Sequence, residues 1–168
     1  MKKLLKALAA CALCAALMAV CCAEAADALY DATVAGWHIT VENVMLRQSM
    51  QNVTVELGYT DVSTDEVVQT AAEGMQYCLV KLRIEKAGSK EKIEWDKLQL
   101  TDGSGSAYAR IEDNFIEEMG MKRMPGTALN FGVSEGWIAF EIDENAQDLT
   151  LSYPFEAEAF TCPLEVEE

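Results

Sequence analysis

Histidine is nearly absent from this sequence, and its scarcity removes several kinds of catalytic and metal site. His38 is the only histidine among the 168 residues, so a Ser-His-Asp or Cys-His catalytic centre would have to be built around it. We instead expect His38 to face solvent on a strand. One histidine and the two distant cysteines beyond the N-terminal region supply at most three zinc ligands, and none lies at ligand spacing.

Positive charge is scarce as well. The chain carries 13 Lys and Arg against 28 Asp and Glu, a formal net charge of -15 at pH 7. A surface of this sign repels phosphate backbones and anionic lipid. We therefore expect no nucleic-acid partner.

The one long hydrophobic run lies at the N-terminus and indicates export. Lys2, Lys3 and Lys6 precede 17 uncharged residues, 7–23, as in the basic and apolar regions of a signal peptide. The run is near the lower limit for a membrane-spanning helix and ends in small residues. The sequence predicts a removable signal over residues 1–25 and a secreted or cell-envelope protein.

Two other fates of this segment stay open, and they are the only routes by which we expect membrane attachment. One is an uncleaved anchor. The other is a lipoprotein, because four cysteines lie here, although lipidation needs a small residue before the cysteine. Cys11 meets that condition with too short an apolar stretch before it, and Cys21 follows the bulky Val20. The four are Cys11, Cys14, Cys21 and Cys22.

Cleavage after residue 25 leaves a chain of the length of a single domain. The remaining 143 residues carry 10 basic and 27 acidic residues, a net charge of -17, and bury a core without a metal or a disulfide framework. Only Cys78 and Cys162 survive. An even pair in an exported protein is either a disulfide or two buried thiols, and the apolar Phe160 and Leu164 favour docking of the segment around Cys162.

Apolar and polar residues alternate with period two in several short runs, which predicts an all-β protein. The clearest strand lies within residues 75–85, with Cys78, Val80, Leu82 and Ile84 on its buried face. A bulge at Asn43 reconciles the two halves of an earlier run. We predict an immunoglobulin-like two-sheet β-sandwich of about seven strands over residues 37–155, after a short N-terminal segment, 26–36, and before an acidic tail, 156–168.

Two further segments belong to this prediction. Residues 111–119 carry apolar side chains every fourth position, which indicates one short helix ended by Gly120. Val53, Val55 and Leu57 share one face of another strand. The acidic stretch after it, residues 60–74, is ambiguous, with Val67 and Val68 as candidates for a short edge strand.

The order of these features resembles a family of uncharacterised bacterial extracellular and lipoprotein modules with a telokin-like, immunoglobulin-like β-sandwich. The resemblance implies that fold and supplies no catalytic residues. The chain has Lys86 where the family usually has Asn after the central strand, and its cysteines lie outside the family pattern. The stretches that carry the resemblance are residues 37–44, 74–84, 98–105, 125–126, 136–142 and 149–153.

Carboxylates and tryptophans are the remaining candidates for a site. Residues 61–66 and 112–118 contain carboxylate clusters that could suit Ca²⁺, but neither follows a calcium-loop pattern, and we interpret both as solvated faces. A pair of carboxylates could serve a glycosidase. Trp95 and Trp137 could stack on a sugar if exposed, with core packing as the alternative. The clustered acids are Asp61, Asp65, Glu66, Glu112, Asp113, Glu117 and Glu118.

No constellation in the sequence identifies a reaction, so we expect a non-catalytic exported module. It would bind an envelope protein or a glycan and would need no cofactor. The alternatives are a carboxylate-based hydrolase and a calcium-stabilised structural domain.

The exported protein should begin at Ala26 or Leu29, because those residues follow the two small-x-small sequences that signal peptidase accepts. Intact mass of the secreted product checks this. A diacylglyceryl adduct on Cys21 or Cys22 would contradict it and make the protein a lipoprotein.

Overall fold

A computed structural model describes residues 28–57, 59, 62–125 and 128–165. The predicted signal, residues 1–25, and the cleavage site after Ala25 therefore lie outside the described residues, whereas the alternative site after Ala28 lies at their start. None of the helices in the described part has the length and hydrophobicity to cross a membrane. The elements in chain order are β1 (Tyr30–Val34), β2 (Trp37–Arg47), β3 (Ser49–Leu57), β4 (Val62–Thr70), β5 (Met75–Lys86), β6 (Ile93–Glu94), a 3₁₀ turn (Trp95–Lys97), β7 (Gln99–Thr101), β8 (Ala107–Tyr108), α1 (Asp113–Glu118), β9 (Ala128–Leu129), β10 (Val133–Asp143), β11 (Thr150–Pro154) and β12 (Ala159–Pro163).

Two four-stranded antiparallel sheets form a sandwich. The first has the order β1-β2-β5-β10 and the second the order β12-β11-β7-β8, while β3-β4 and β6-β9 form separate two-stranded pairs. The predicted two-sheet sandwich with one short helix is confirmed. Its two main sheets hold eight strands in the described part of the chain, against about seven expected.

The core lies between the inner faces of the two sheets. On β5 the inward side chains alternate as predicted, and Cys78, Val80 and Leu82 are fully buried. From the second sheet, Leu151 and Phe160 pack into the same cluster. Complete burial of a large aliphatic or aromatic side chain stabilises the fold by roughly 1.5–3 kcal/mol, so this shared layer holds the sheets together.

A second, smaller core covers the outer face of the first sheet at the start of β5. There Tyr77 and Leu79 point away from the sandwich and are buried under Phe115 and Ile116 of α1. The helix ends at Gly120, whose φ of +70° suits glycine. Sheet strands buried on both faces lose the polar alternation, which is why this end of β5 is apolar on both sides.

The register of β2 against β5 shifts between Val41 and Asn43. A bulge is therefore present one residue before the predicted position, with Glu42 rather than Asn43 as the unpaired residue. It lets Trp37 and Ile39 on one side of the bulge, and Val44 on the other, all pack against the main core.

The sheets extend beyond the predicted bounds of 37–155 at both ends. β1 lies in the predicted N-terminal segment and pairs with β2 along its whole length. In the predicted acidic tail, β12 pairs with β11 and buries Phe160 and Cys162. Every second residue of β12 is apolar and buried, a pattern that the surrounding acidic residues obscure in the sequence.

Gly136 of β10 should not tolerate a side chain. An added Cβ would lie 2.5 Å from the backbone carbon and oxygen of Arg123, where the backbone N–H of Trp137 donates to the carbonyl of Lys122 at 2.8 Å. Gly136→Ala should lower the free energy of unfolding by about 1–3 kcal/mol through overpacking, and Gly136→Ser by more. Chemical denaturation measures both, and equal stability of all three proteins would contradict this packing.

Candidate functional site

The β3-β4 hairpin stands outside the sandwich, and we call it the arm. Its strands pair antiparallel from Ser49 opposite Thr70 to Leu57 opposite Val62. Directly opposed residues share a face of a two-stranded sheet, so the register defines two faces. The open face consists of Gln51, Val53, Val55, Leu57, Val62, Thr64, Glu66 and Val68, and the back face of Met50, Asn52, Thr54, Glu56, Ser63, Asp65, Val67 and Gln69.

The open face is mainly aliphatic and lies in solvent. Its five large apolar side chains are each at least half exposed: Val53 50%, Val55 55%, Leu57 81%, Val62 64% and Val68 54%. Scattered exposed hydrophobic residues are ordinary, but a contiguous exposed group marks an interaction surface. The arm therefore carries the strongest candidate for a binding site in the described part of the chain.

The back face holds the arm to the body. The side-chain amide of Asn52 donates to the backbone oxygen of Glu118 at 2.8 Å, and that of Gln69 donates to the Glu118 carboxylate at 3.3 Å. Met50 packs against the core under α1. Because these contacts lie near the base of the hairpin, they set the direction of the arm and leave the open face uncovered.

The arm carries negative charge only. Residues 48–76 contain no Lys, Arg or His. Glu56 and Asp65 lie on the back face, and Glu66 is the one charged side chain of the open face, where its carboxylate accepts a hydrogen bond from Gln51 at 2.7 Å. Cation-bearing partners would meet complementary charge here.

Trp137 borders a second surface, an open concavity on the outer face of the first sheet. The indole is half-buried and packs beside the α1 cluster. His38 also lines this concavity, partly exposed and 2.7 Å from Asp31, and Lys81 lies 2.7 Å from Glu42. His38 and Lys81 beside Trp137 thus already have carboxylate partners.

Of the two interpretations of Trp95, the structure has core packing, so the condition of exposure for stacking on a ligand is not met. Its indole is fully buried, and Nε1 donates to the Pro125 oxygen at 3.3 Å. The strand β6 ends at Glu94, and the chain turns into a 3₁₀ helix at Trp95. The helical turn rotates the ring into the core.

The carboxylate clusters noted in the sequence do not converge on a cation. Asp65 and Glu66 point to opposite faces of β4, and Asp61 lies outside the described residues. Asp113 is 2.6 Å from Arg110, and Glu117 is 2.5 Å from Arg123. Within the described ranges, no three His, Cys, Asp or Glu residues are grouped as metal ligands.

The carboxylates with perturbed acidity are all stabilised as anions. Hydrogen bonds from Ser104 and Tyr108 lower the pKa of Asp102 to about 2, those from Lys92 and Lys97 lower the pKa of Glu94 to about 2, and Lys81 lowers the pKa of Glu135. A general acid needs a raised pKa. At neutral pH these three carboxyl groups are therefore anions and unsuited to act as general acids.

The two cysteines of the body are buried and free. Burial raises the pKa of both Cys78 and Cys162 to about 12. At neutral pH the reactive thiolate form is therefore very rarely populated. Of the two alternatives for this pair, the structure has separate thiols in the core.

Comparison with solved structures finds bacterial proteins of the same fold. A conserved hypothetical protein of Bacillus anthracis is 15% identical, with a TM-score of 0.50 over 81% of this chain and 92% of that one. A functionally unknown protein of Listeria monocytogenes is 13% identical, with a TM-score of 0.50 over 85% of each chain. An uncharacterized β-sandwich protein of Clostridium difficile is 9% identical, with a TM-score of 0.44 over 83% and 93%.

At these identities the likeness shows the fold alone. No protein-family model matches the chain, and comparison with curated proteins finds no match either. The expected resemblance to uncharacterised bacterial β-sandwich proteins is confirmed. The narrower telokin-like relationship stays a prediction.

Sequence reasoning identified the strand that carries Val53, Val55 and Leu57 but missed its exposure. One available indication was the long stretch without a basic residue, 48–76, in which acids alternate with valines. The core strand β5, by contrast, has Lys81 and Arg83 on its wet face. The arm has no such residue.

Both cysteines should be alkylated only after unfolding. In the exported protein at neutral pH, iodoacetamide should leave the folded chain unmodified, because the thiols are buried and protonated. Denaturation without reductant should then give two adducts by intact mass, and Cys78→Ala should give one. An unreduced chain that accepts no label after unfolding would instead establish a disulfide.

Proposed function

We propose that this chain is an exported, non-catalytic module of the cell envelope or extracellular space, and that it binds a protein through the open face of the arm. The export assignment rests on the basic and apolar N-terminal segment, whose order matches a signal peptide. The binding role rests on the arm.

The exposed aliphatic face is the observation that carries the proposal. Five side chains that are each at least half exposed lie together on a hairpin whose back face is held near its base. A two-stranded hairpin gains little stability by itself, so exposing such a surface has no evident benefit to folding. Covering it with a partner removes apolar area from water, which is the usual driving force for protein association.

A glycan at Trp137 is the second candidate, supported by its partly exposed ring in a polar concavity. We rank it lower for two reasons. Trp95 is buried, so Trp137 has no second indole from the predicted pair to extend a stacking platform. The flanking groups His38 and Lys81 already have carboxylate partners, and a sugar would have to compete for them.

The absence of a catalytic role is likewise our inference. The carboxyl groups with a shifted pKa have it lowered, not raised. His38 contacts Asp31 on the surface, and in the described part of the chain it has no hydrogen bond to a nucleophilic side chain. A hydrolase would need an acid held protonated near a second carboxylate. Binding fits the arrangement of these groups better.

Photocrosslinking tests the proposal with a control on the same strand. A photoreactive residue at position 55, on the open face, should give protein adducts in the envelope fraction, whereas one at position 54, on the back face, should give far fewer. Protein without the photoreactive residue should compete with it for the partner and reduce these adducts. The double variant Val53→Thr and Val55→Thr should not compete. Because both sites are exposed, the double variant should change stability by no more than about 1 kcal/mol.

Equal adduct yields from positions 54 and 55 would contradict a role for the open face. The glycan candidate would be supported instead if the protein were retained on an immobilised sugar and Trp137→Ala abolished that retention. The arm variant should then be retained as before.

A further inference from the structure

We infer that the partner segment received by the arm is apolar and positively charged, in the form of a short extended or amphipathic stretch flanked by Lys or Arg. This inference rests on the proposed function and adds the chemistry of the occupant. It follows from the arrangement of apolar and charged side chains on the open face.

The aliphatic row sets the length of the segment. Val53, Val55 and Leu57 follow one another at every second position of β3, so the row spans about 13 Å at 3.3 Å per residue. Val62 extends the apolar surface at the tip, and Val68 does so at the base. Five to seven residues of an extended partner, or about three to four helical turns, would cover it.

Glu66 sets the charge of the segment. It lies directly opposite Val53 on the open face, and its carboxylate has Gln51 as a neutral partner. An apolar partner that covered Val53 would bring Glu66 into a drier environment, where a carboxylate is stabilised by a cation. Lys or Arg beside the partner's apolar residues meets that requirement.

A second copy of this chain suits the surface poorly. The arm carries Glu56, Asp65 and Glu66 with no basic residue in the whole of 48–76. Two arms packed face to face would bring like charges together and offer neither Glu66 a cation. Like-charge juxtaposition opposes association, and the acidic body adds repulsion at longer range.

Peptide binding to the purified mature chain tests the inference. The probes are two nine-residue peptides with valine at alternate positions, one with lysine and one with glutamate in between, followed by fluorescence anisotropy. The lysine peptide should bind at least about tenfold more tightly. The Val53→Thr and Val55→Thr double variant should weaken its binding about tenfold or more.

A pair of charge-matched variants separates local recognition from general attraction. Glu66→Gln on the open face should weaken the lysine peptide about fivefold, whereas Glu56→Gln on the back face should change it little, although both remove one negative charge. Equal effects of the two variants would overturn the inference, and so would equal binding of the two peptides or no binding of either.

Three other results would overturn this inference in favour of a different occupant. One is a dimer in sedimentation that the valine variant abolishes. Another is arm-dependent binding to phosphatidylcholine vesicles. The third is a position-55 crosslink to an acidic or neutral protein segment, which would leave the proposed function standing. Failure of the proposed function itself is recognised separately, by the lack of any position-55 protein adduct.

Discussion

The packing of β5 in the middle of the first sheet is the interaction on which the rest of the structure depends. It pairs with β2 on one side and β10 on the other over nearly its full length. Its inner side chains meet the second sheet, while Tyr77 and Leu79 on its outer face meet α1. Because one strand is shared by both cores, displacing it would expose both at once.

The outer core explains how a hairpin can project from the sandwich. The chain leaves β2, forms the arm, and returns directly into β5, so the base of the arm lies beside Tyr77. There Met50 joins the α1 cluster, and Asn52 donates to the backbone at Glu118. Contacts at the base fix the direction of the arm but do not restrict how far it extends. In this respect the arm differs from a strand inserted in a sheet.

Sequence patterning predicted the features in which local chemistry and burial agree. The alternation from Cys78 to Ile84 placed one face of β5 inward because Lys81 and Arg83 mark the other face as wet, and Gly120 marked the end of the helix. Val53, Val55 and Leu57 show the same period, yet they are exposed. Period two establishes that side chains share a face and carries no information about whether another layer covers it.

The sequence does not reveal the placement of Trp95 or of the strands β1 and β12, for two different reasons. Trp95 follows a two-residue strand, too short for its alternation to be projected onward, and a 3₁₀ turn reverses the expected direction of the ring. The strands β1 and β12 have five residues each, and their apolar positions are few. Their place in the sheets depends on pairing with distant segments, which no local pattern records.

The acidity of the arm has a consequence beyond solubility. Both strands of a two-stranded hairpin are edge strands, and exposed apolar edges favour aggregation between identical chains. Glu56, Asp65 and Glu66 oppose that pairing, because every copy brings the same charges and the arm brings no cation. The same residues would attract a partner of opposite charge. Aliphatic contact on the open face would then supply most of the affinity, while the carboxylates exclude self-association and select the partner, a division between attraction and rejection that specific interfaces commonly use.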